Sequence, residues 1–170
     1  MDPSTVNLMN TQVFRIDIPL APSINEWVQS VSVPGVTLGE VSVENQLVRQ
    51  PEPGDKLIFS PLSFSFLVDE EMKNWTEMFN WMSACGFPIS LSQYGIFPHQ
   101  VNRVSDRDVT CDINLLVFNN QSKPILRFTM FGCFPIALGD MPLNTADTTA
   151  QPPVCTGDMM YRNFTVETIT

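Results

Sequence analysis

The sequence predicts a mainly β domain carrying one α-helix, and three observations carry that reading. Apolar and polar residues alternate in seven runs, Pro, Gly and Asn collect between those runs, and a single segment repeats its apolar residues at helical spacing instead.

The seven runs are "VFRIDI" (13 to 18), "WVQSVSV" (27 to 33), "VSVENQLV" (41 to 48), "LSFSFLV" (62 to 68), "CDINLLVF" (111 to 118), "ILRFTMFGCF" (125 to 134) and "MYRNFTVETI" (160 to 169). Each puts apolar side chains on one face and polar ones on the other, the signature of a half-buried strand. Between them lie "PLAPS", "VPGVTLG", "PEPGD", "NNQSKP" and "LGDMPLN", with residues that fix φ or tolerate positive φ. None reads as a linker, so residues 1 to 170 form one domain. Its parts are the first strands with a long hairpin (13 to 68), a helix (69 to 86), a second hairpin (109 to 134), a loop (143 to 158) and a last strand (160 to 169). The stretch "LNTADTTAQPPVCTGD" (143 to 158) has the weakest pattern and is expected to be a mobile loop.

Two long hairpins follow. Strand 41 to 48 pairs with strand 57 to 68 around a stiff polar tongue, Arg49, Gln50, Pro51, Glu52, Pro53, Gly54, Asp55 and Lys56. Strand 109 to 118 pairs with strand 125 to 134 around "NNQSKP". The strands are expected to pack as two antiparallel sheets, in a sandwich or barrel.

The helix is "DEEMKNWTEMFNWMSACG" (69 to 86), in which Trp75, Met78, Phe79 and Met82 fall at i, i+3, i+4 and i+7. Asp69 is expected to cap the first turn, Glu70 and Glu71 to favour the positive end of the dipole, and Gly86 to close the far end. The stripe reads as the face that covers the open end of the sheets.

Charge and motif content narrow the function. Only 16% of residues are charged, against about a quarter in ordinary domains, and 18 acids against nine bases give a net charge of −9. Tight nucleic-acid binding needs Lys and Arg to displace counterions from phosphates, so it is disfavoured. The opening "MDPSTVNLMN" lacks the basic and apolar regions of a leader, and no apolar run approaches a membrane span. Cys85, Cys111, Cys133 and Cys155 show no CxxC pair and are expected as free, mostly buried thiols. The sequons at Asn74, Asn120 and Asn163 are expected to be unused.

No catalytic set emerges. The one histidine, His99, lies in the loop-like "FPHQ" with no nucleophile elbow near it. Glu70 and Glu71 point about 100° apart on a helix and cannot face one another across a substrate. Asp106 and Asp108 share a strand face and with Asp112 outline a cation site, but Arg103 and Arg107 interleave, so a solvated edge is expected. Phosphate-cradling glycine motifs are absent. The expectation is a non-enzymatic protein without cofactor or metal.

The polar strand faces are small, neutral or acidic: Glu40, Ser42 and Glu44 on one strand, Ser63 and Ser65 on another, Asp112 and Asn114 on a third. A monomeric sandwich usually guards its outer faces with long charged side chains. Hairpins from several copies aligned side by side would close into a barrel without edges.

The order "FRIDI … VPGVTLGEVSVENQLVRQPEPGDKLIFSPLSFSFLVDEEMKNWTEMFNWM … FGCFPIAL … MYRNFTVETI" resembles the tail tube proteins of contractile-tailed, T4-like bacteriophages and the related inner tubes of pyocins and type VI secretion. The features carrying it are an F-x-V/I-x-I strand before a "PGV" turn, a hairpin returning through G-D-x-x-F, a strand ending in "DE", a helix with a W-M face, a late G-x-F-P and a final F-x-V strand. The resemblance implies hexameric rings stacked into a hollow tube, the two hairpins of each subunit forming a continuous β-barrel lumen that conducts phage DNA. It implies Glu40, Ser42, Glu44, Ser63, Ser65, Asp112 and Asn114 as lumen-facing, an acidic wall repelling DNA, and Arg127 paired with Asp112. The 49 to 56 tongue would reach the adjacent ring. Implied partners are further copies, the tail sheath protein, the baseplate tube initiator, the tail terminator, and the tape measure protein and DNA passing without tight binding. The implied location is the virion tail, assembled in the host cytoplasm. Initiator and terminator proteins share related folds and are the rival readings, with a lone β-sandwich binding module as a third.

Overall fold

The computed structural model describes residues 13–44, 47–86, 89, 109–146 and 151–169. Among them run nine strands, one α-helix and a 3-10 turn at Pro22–Ile24. The strands are β1 (Phe14–Asp17), β2 (Val28–Ser32), β3 (Val36–Glu44), β4 (Arg49–Phe59), β5 (Leu62–Leu67), β6 (Cys111–Phe118), β7 (Pro124–Leu138), β8 (Val154–Met160) and β9 (Asn163–Thr168). The helix, α1, spans Lys73–Gly86 between β5 and β6.

Two antiparallel sheets share β7. One runs β1-β6-β7-β9, the other β7-β8-β5-β2, while β3 and β4 form a separate two-stranded ribbon. The long strand β7 changes sheets at Gly132. Cys111 pairs with Cys133 and Ile113 with Met130, so Phe131 and Gly132 together stand opposite Asp112. This bulge places Gly132 at φ +63°, where an L side chain is disfavoured, and its N–H donates to the Asp112 carboxylate at 2.9 Å. Beyond the corner, Phe134–Leu138 pairs with β8.

The expected alternation holds where both sheets meet. On β5, Leu62, Phe64 and Phe66 are buried, and on β6, Cys111, Ile113, Leu115 and Val117. With Ile16, Ile18, Met130, Met159 and helix residues they fill one core.

Four expectations need correction. The loop expected over 143–158 contains β8, paired with β5 and β7. Its inward positions are Cys155, Gly157 and Met159, too weakly apolar in sequence to signal a strand. Gly157 is required there, because a Cβ would lie 2.6 Å from the ring of Phe64. The expected last strand 160–169 is broken at Tyr161 and Arg162, where the Tyr161 hydroxyl turns inward and donates to the Ser60 carbonyl at 2.8 Å.

The first hairpin is the third correction. Residues 49 to 56 are not a loop; they form most of β4, and β3 begins at Val36 instead of 41, with Glu44 paired to Arg49 at the end of the ribbon. Pro51 and Pro53 fit because β4 pairs on one side only, so a missing N–H breaks no second ladder. Strand β5, expected to continue from 57, starts afresh after Pro61 in a different sheet.

The fourth is the helix. It begins at Lys73, so Glu70 and Glu71 precede it, and Glu71 pairs with Lys73. Asn74 supplies the tie expected of Asp69: its Oδ1 accepts from the Trp75 N–H at 2.8 Å and its Nδ2 donates to the Leu67 carbonyl at 2.7 Å. That buried position also closes the Asn74 sequon to modification in the folded chain. The face turned to the core is Asn74, Met78, Trp81 and Ala84; of the expected stripe only Met78 is fully buried. Polar Asn74 disguises the buried row, so periodicity selects a row one residue, about 100°, away.

Candidate assembly interface

The β3–β4 ribbon is an arm leaving the body. Its ladder pairs Val36 with Phe59, Thr37 with Ile58, Leu38 with Leu57, then Glu40 with Pro53, Ser42 with Pro51 and Glu44 with Arg49. Opposed residues share a face, so Glu40, Ser42 and Glu44 line one side as expected. Arg49 folds back over it, its Nη2 donating to Ser42 Oγ at 2.6 Å.

A wide bulge interrupts the ladder: Gly54, Asp55 and Lys56 stand against the single residue Gly39. The backbones approach so closely that a Cβ on Gly54 would lie 2.5 Å from the Gly39 carbonyl oxygen.

The root of the arm is firmly held. Phe59 packs edge-on against Phe164, ring centres 5.5 Å apart, and lies 6.0 Å from Tyr161. The Ser60 N–H donates to the Gly35 carbonyl at 2.9 Å. Outward from there, Val36, Leu38, Val41, Val43, Leu57 and Ile58 are each between 43% and 63% exposed, on both faces of the ribbon. A two-stranded ribbon with apolar residues bare on both sides is at best marginally stable in water. The geometry therefore presents a surface for association. Sequence reading placed Val41, Val43, Leu57 and Ile58 on strands but took "VPGVTLG" and the 49 to 56 tongue for turns, so it missed Val36 and Leu38 and the length of the arm; the signal was the run of valines and leucine in "VTLGEVSV" itself.

The other lumen candidates sit elsewhere. Asp112 and Asn114 lie on the outward side of β6, Asn114 Oδ1 accepting from Thr129 Oγ1 at 3.0 Å. Ser63 and Ser65 lie in the other sheet, where Ser63 Oγ donates to Asp158 at 2.6 Å and Ser65 Oγ meets Ser30 Oγ at 2.6 Å. Within one chain the seven residues thus fall on three surfaces. The ladder sets Arg127 opposite Leu116, and its ion pair, at 3.9 Å, is with Glu167 of β9 instead of the expected Asp112. His99, Arg103, Asp106, Arg107 and Asp108 lie outside the described residues.

Along α1, Trp75 and Phe79 stack face to face, ring centres 5.4 Å apart. With Met82, Leu138 and Met141 they line an open groove of about 610 Å³. The four cysteines are free, and Cys111, Cys133 and Cys155 are buried. Among the described residues no group of three or more His, Cys, Asp or Glu is placed to hold a metal, and no helix is long and apolar enough to cross a membrane.

The chain as a whole has known counterparts. The family model described as phage tail tube protein matches residues 4–167. The chain belongs to the phage tail tube protein family. A relative in Enterobacteria phage T4, named a tail tube terminator protein, is 25% identical over 167 residues, covering 95% of this chain and 90% of the relative. Among solved structures, a chain in the sheath–tube complex of an extracellular contractile injection system (PVC) superposes with TM-score 0.63 at 15% identity, covering 98% of this chain and 95% of the other. A chain in the sheath/tube terminator of that system gives TM-score 0.62 at 15% identity, with 96% and 99% covered. A chain in the tube-terminating cap of the anti-feeding prophage gives 0.60 at 16% identity, with 99% and 97% covered. The tail tube fold is thus shared with chains from these assemblies.

Proposed function

We propose that this chain is a non-catalytic structural protein of a contractile phage tail, assembling as a hexameric ring coaxial with the inner tube. The observation carrying the reading is the β3–β4 arm, apolar on both faces and rooted in the body by Phe59. Arms from successive copies, together with β6 and β7, close into a barrel in which every ladder finds a partner and no edge is left open. Glu40, Ser42 and Glu44, with Asp112 and Asn114, then form an acidic, small-residue bore that repels phosphate and offers DNA no deep well.

The full-length likeness to a T4 protein named a tube terminator favours the ring that ends the tube over the repeating tube body. Such a ring meets the tube on one face and the sheath and neck of the tail around it, and the tape measure protein and DNA pass through it. Its place is the virion, with assembly in the host cytoplasm. Electron microscopy of the purified protein separates the readings. Isolated rings or short stacks support an end ring, long tubes support a tube-body protein, and uniformly monomeric particles overturn both.

A further inference from the structure

The ladder between β6 and β7 ends on a pair of cysteines. Cys111, the first residue of β6, stands directly opposite Cys133, and no rung of that ladder lies beyond them. Opposed residues share a face, and both side chains belong to the core, Cys111 5% and Cys133 0% exposed. Both are thiols, and the Cys133 S–H donates to the Met130 carbonyl at 3.4 Å. The other two cysteines have no such counterpart, since Cys155 stands opposite Phe66 and Cys85 lies on α1. Directly opposed residues of an antiparallel pair hold their Cα atoms about 4.5–5.5 Å apart, inside the span of about 4.4–6.8 Å that a disulfide tolerates.

The position matters as much as the pairing. Phe131 and Gly132 bulge against Asp112, which cuts the cysteine rung off from the regular ladder that begins at Ile113 and Met130. Immediately after Cys133 the strand leaves for the second sheet, Phe134 pairing with Met160. The cysteines are therefore the last tie between β6 and β7 at the corner where the two sheets join.

We propose that Cys111 and Cys133 are a disulfide site, closing across the corner and fastening the bend of β7 to β6 when the chain meets a small-molecule disulfide. The Cys111 sulfur, as thiolate, attacks one sulfur of the oxidant and releases the other half as a thiolate. The Cys133 sulfur then attacks the Cys111 sulfur and releases the second half. One S–S bond breaks and one forms, and the oxidant is reduced to two thiols, which take up the two protons that the cysteines lose. Burial pushes the Cys133 thiol up to about 12, so exchange is slow in the closed chain and proceeds through opening at the start of β6. As a virion protein, the chain would be made where thiols stay reduced and persist where they do not, so the bond follows assembly. That timing rests on the proposed function; the chemistry of the pair stands without it.

Peptide mapping by mass spectrometry tests the site, on a Cys85→Ser chain equilibrated with hydroxyethyl disulfide and mercaptoethanol, then alkylated in denaturant. A second sample is refolded from urea in the same mixture, so that slow access to buried thiols cannot hide the bond. The expected result is a linked Cys111–Cys133 peptide with Cys155 recovered alkylated. The linked chain melts about 5 °C or more above the same sample reduced with dithiothreitol. Cys111→Ala in the same background loses both the linked peptide and the dithiothreitol-sensitive rise. If both samples return Cys111 and Cys133 separately alkylated, or either one linked to Cys155, the proposal is overturned. A linked chain that melts no higher than its reduced form overturns the fastening of the corner.

Discussion

Single residues decide how tightly the body can pack. At Gly157 a methyl group would lie 2.6 Å from the buried ring of Phe64, which would have to shift. Gly157→Ala is therefore expected to cost about 1–3 kcal/mol, read as a lowered denaturation midpoint with unchanged slope. Trp81 is fully buried and its indole N–H donates to the Val109 carbonyl at 2.6 Å. Trp81→Phe removes that donor from a partly buried carbonyl and is expected to cost about 1–3 kcal/mol. Cys133 adds a pH dependence. Burial above all, with Cys111 beside it, pushes its thiol up to about 12 from an ordinary 9. Above pH 9 the unfolded chain sheds this proton while the folded chain keeps it, so stability falls as pH rises from about 9 towards 12. Thermal melts across that window should fall more steeply for wild type than for Cys133→Ala. Cys85, Cys155 and Tyr161, also raised by burial, contribute a residual slope in both proteins.

At the scale of elements, the helix offers the clearest contrast. Met78 is buried and Phe79, its neighbour in sequence, is 48% exposed. Met78→Ala is expected to cost about 2–5 kcal/mol and Phe79→Ala well under half of that, measured by urea unfolding. Equal costs would return the core-facing side to the row that periodicity selects. Asn74 explains why the row was misread: a polar side chain that ties the helix start occupies a core position. Glu77, one turn on, holds the 3-10 turn through Ser23, its carboxylate accepting from the Ser23 N–H at 3.1 Å and hydroxyl at 2.7 Å. Strands β5 and β6 were legible because each inward position is strongly apolar or Cys, and each neighbour is polar or half-buried. Strand β8 was not, since a strand that must pass beneath Phe64 uses Gly157 where alternation would ask for a large side chain. Within β4, "PEPG" has the composition of a turn, and only the free edge of a two-stranded ribbon makes a strand of it.

For the whole molecule, the sheets and the helix were readable because a single chain buries them and so must encode them in alternation. The arm follows a different rule. Its apolar residues are left half-exposed by the rest of the chain and do not mark a single buried side: Val36, Leu38 and Leu57 lie on one face, Val41, Val43 and Ile58 on the other. The bore belongs to this scale as well. Replacing Glu40 and Glu44 with Lys is expected to leave ring assembly largely intact and to slow genome ejection, because cations on the bore hold phosphates that acids would repel. Single-particle ejection kinetics check it, and an unchanged rate would remove these two residues from the lumen. The central claim is that the arm is completed only by other copies. Hydrogen–deuterium exchange over residues 36–44 and 49–59, compared between dissociated and assembled protein, measures it directly. The account predicts fast exchange in the dissociated chain and strong protection on assembly, while the core strands β5 and β6 stay protected in both. Protection of the arm that is the same in both states would contradict it.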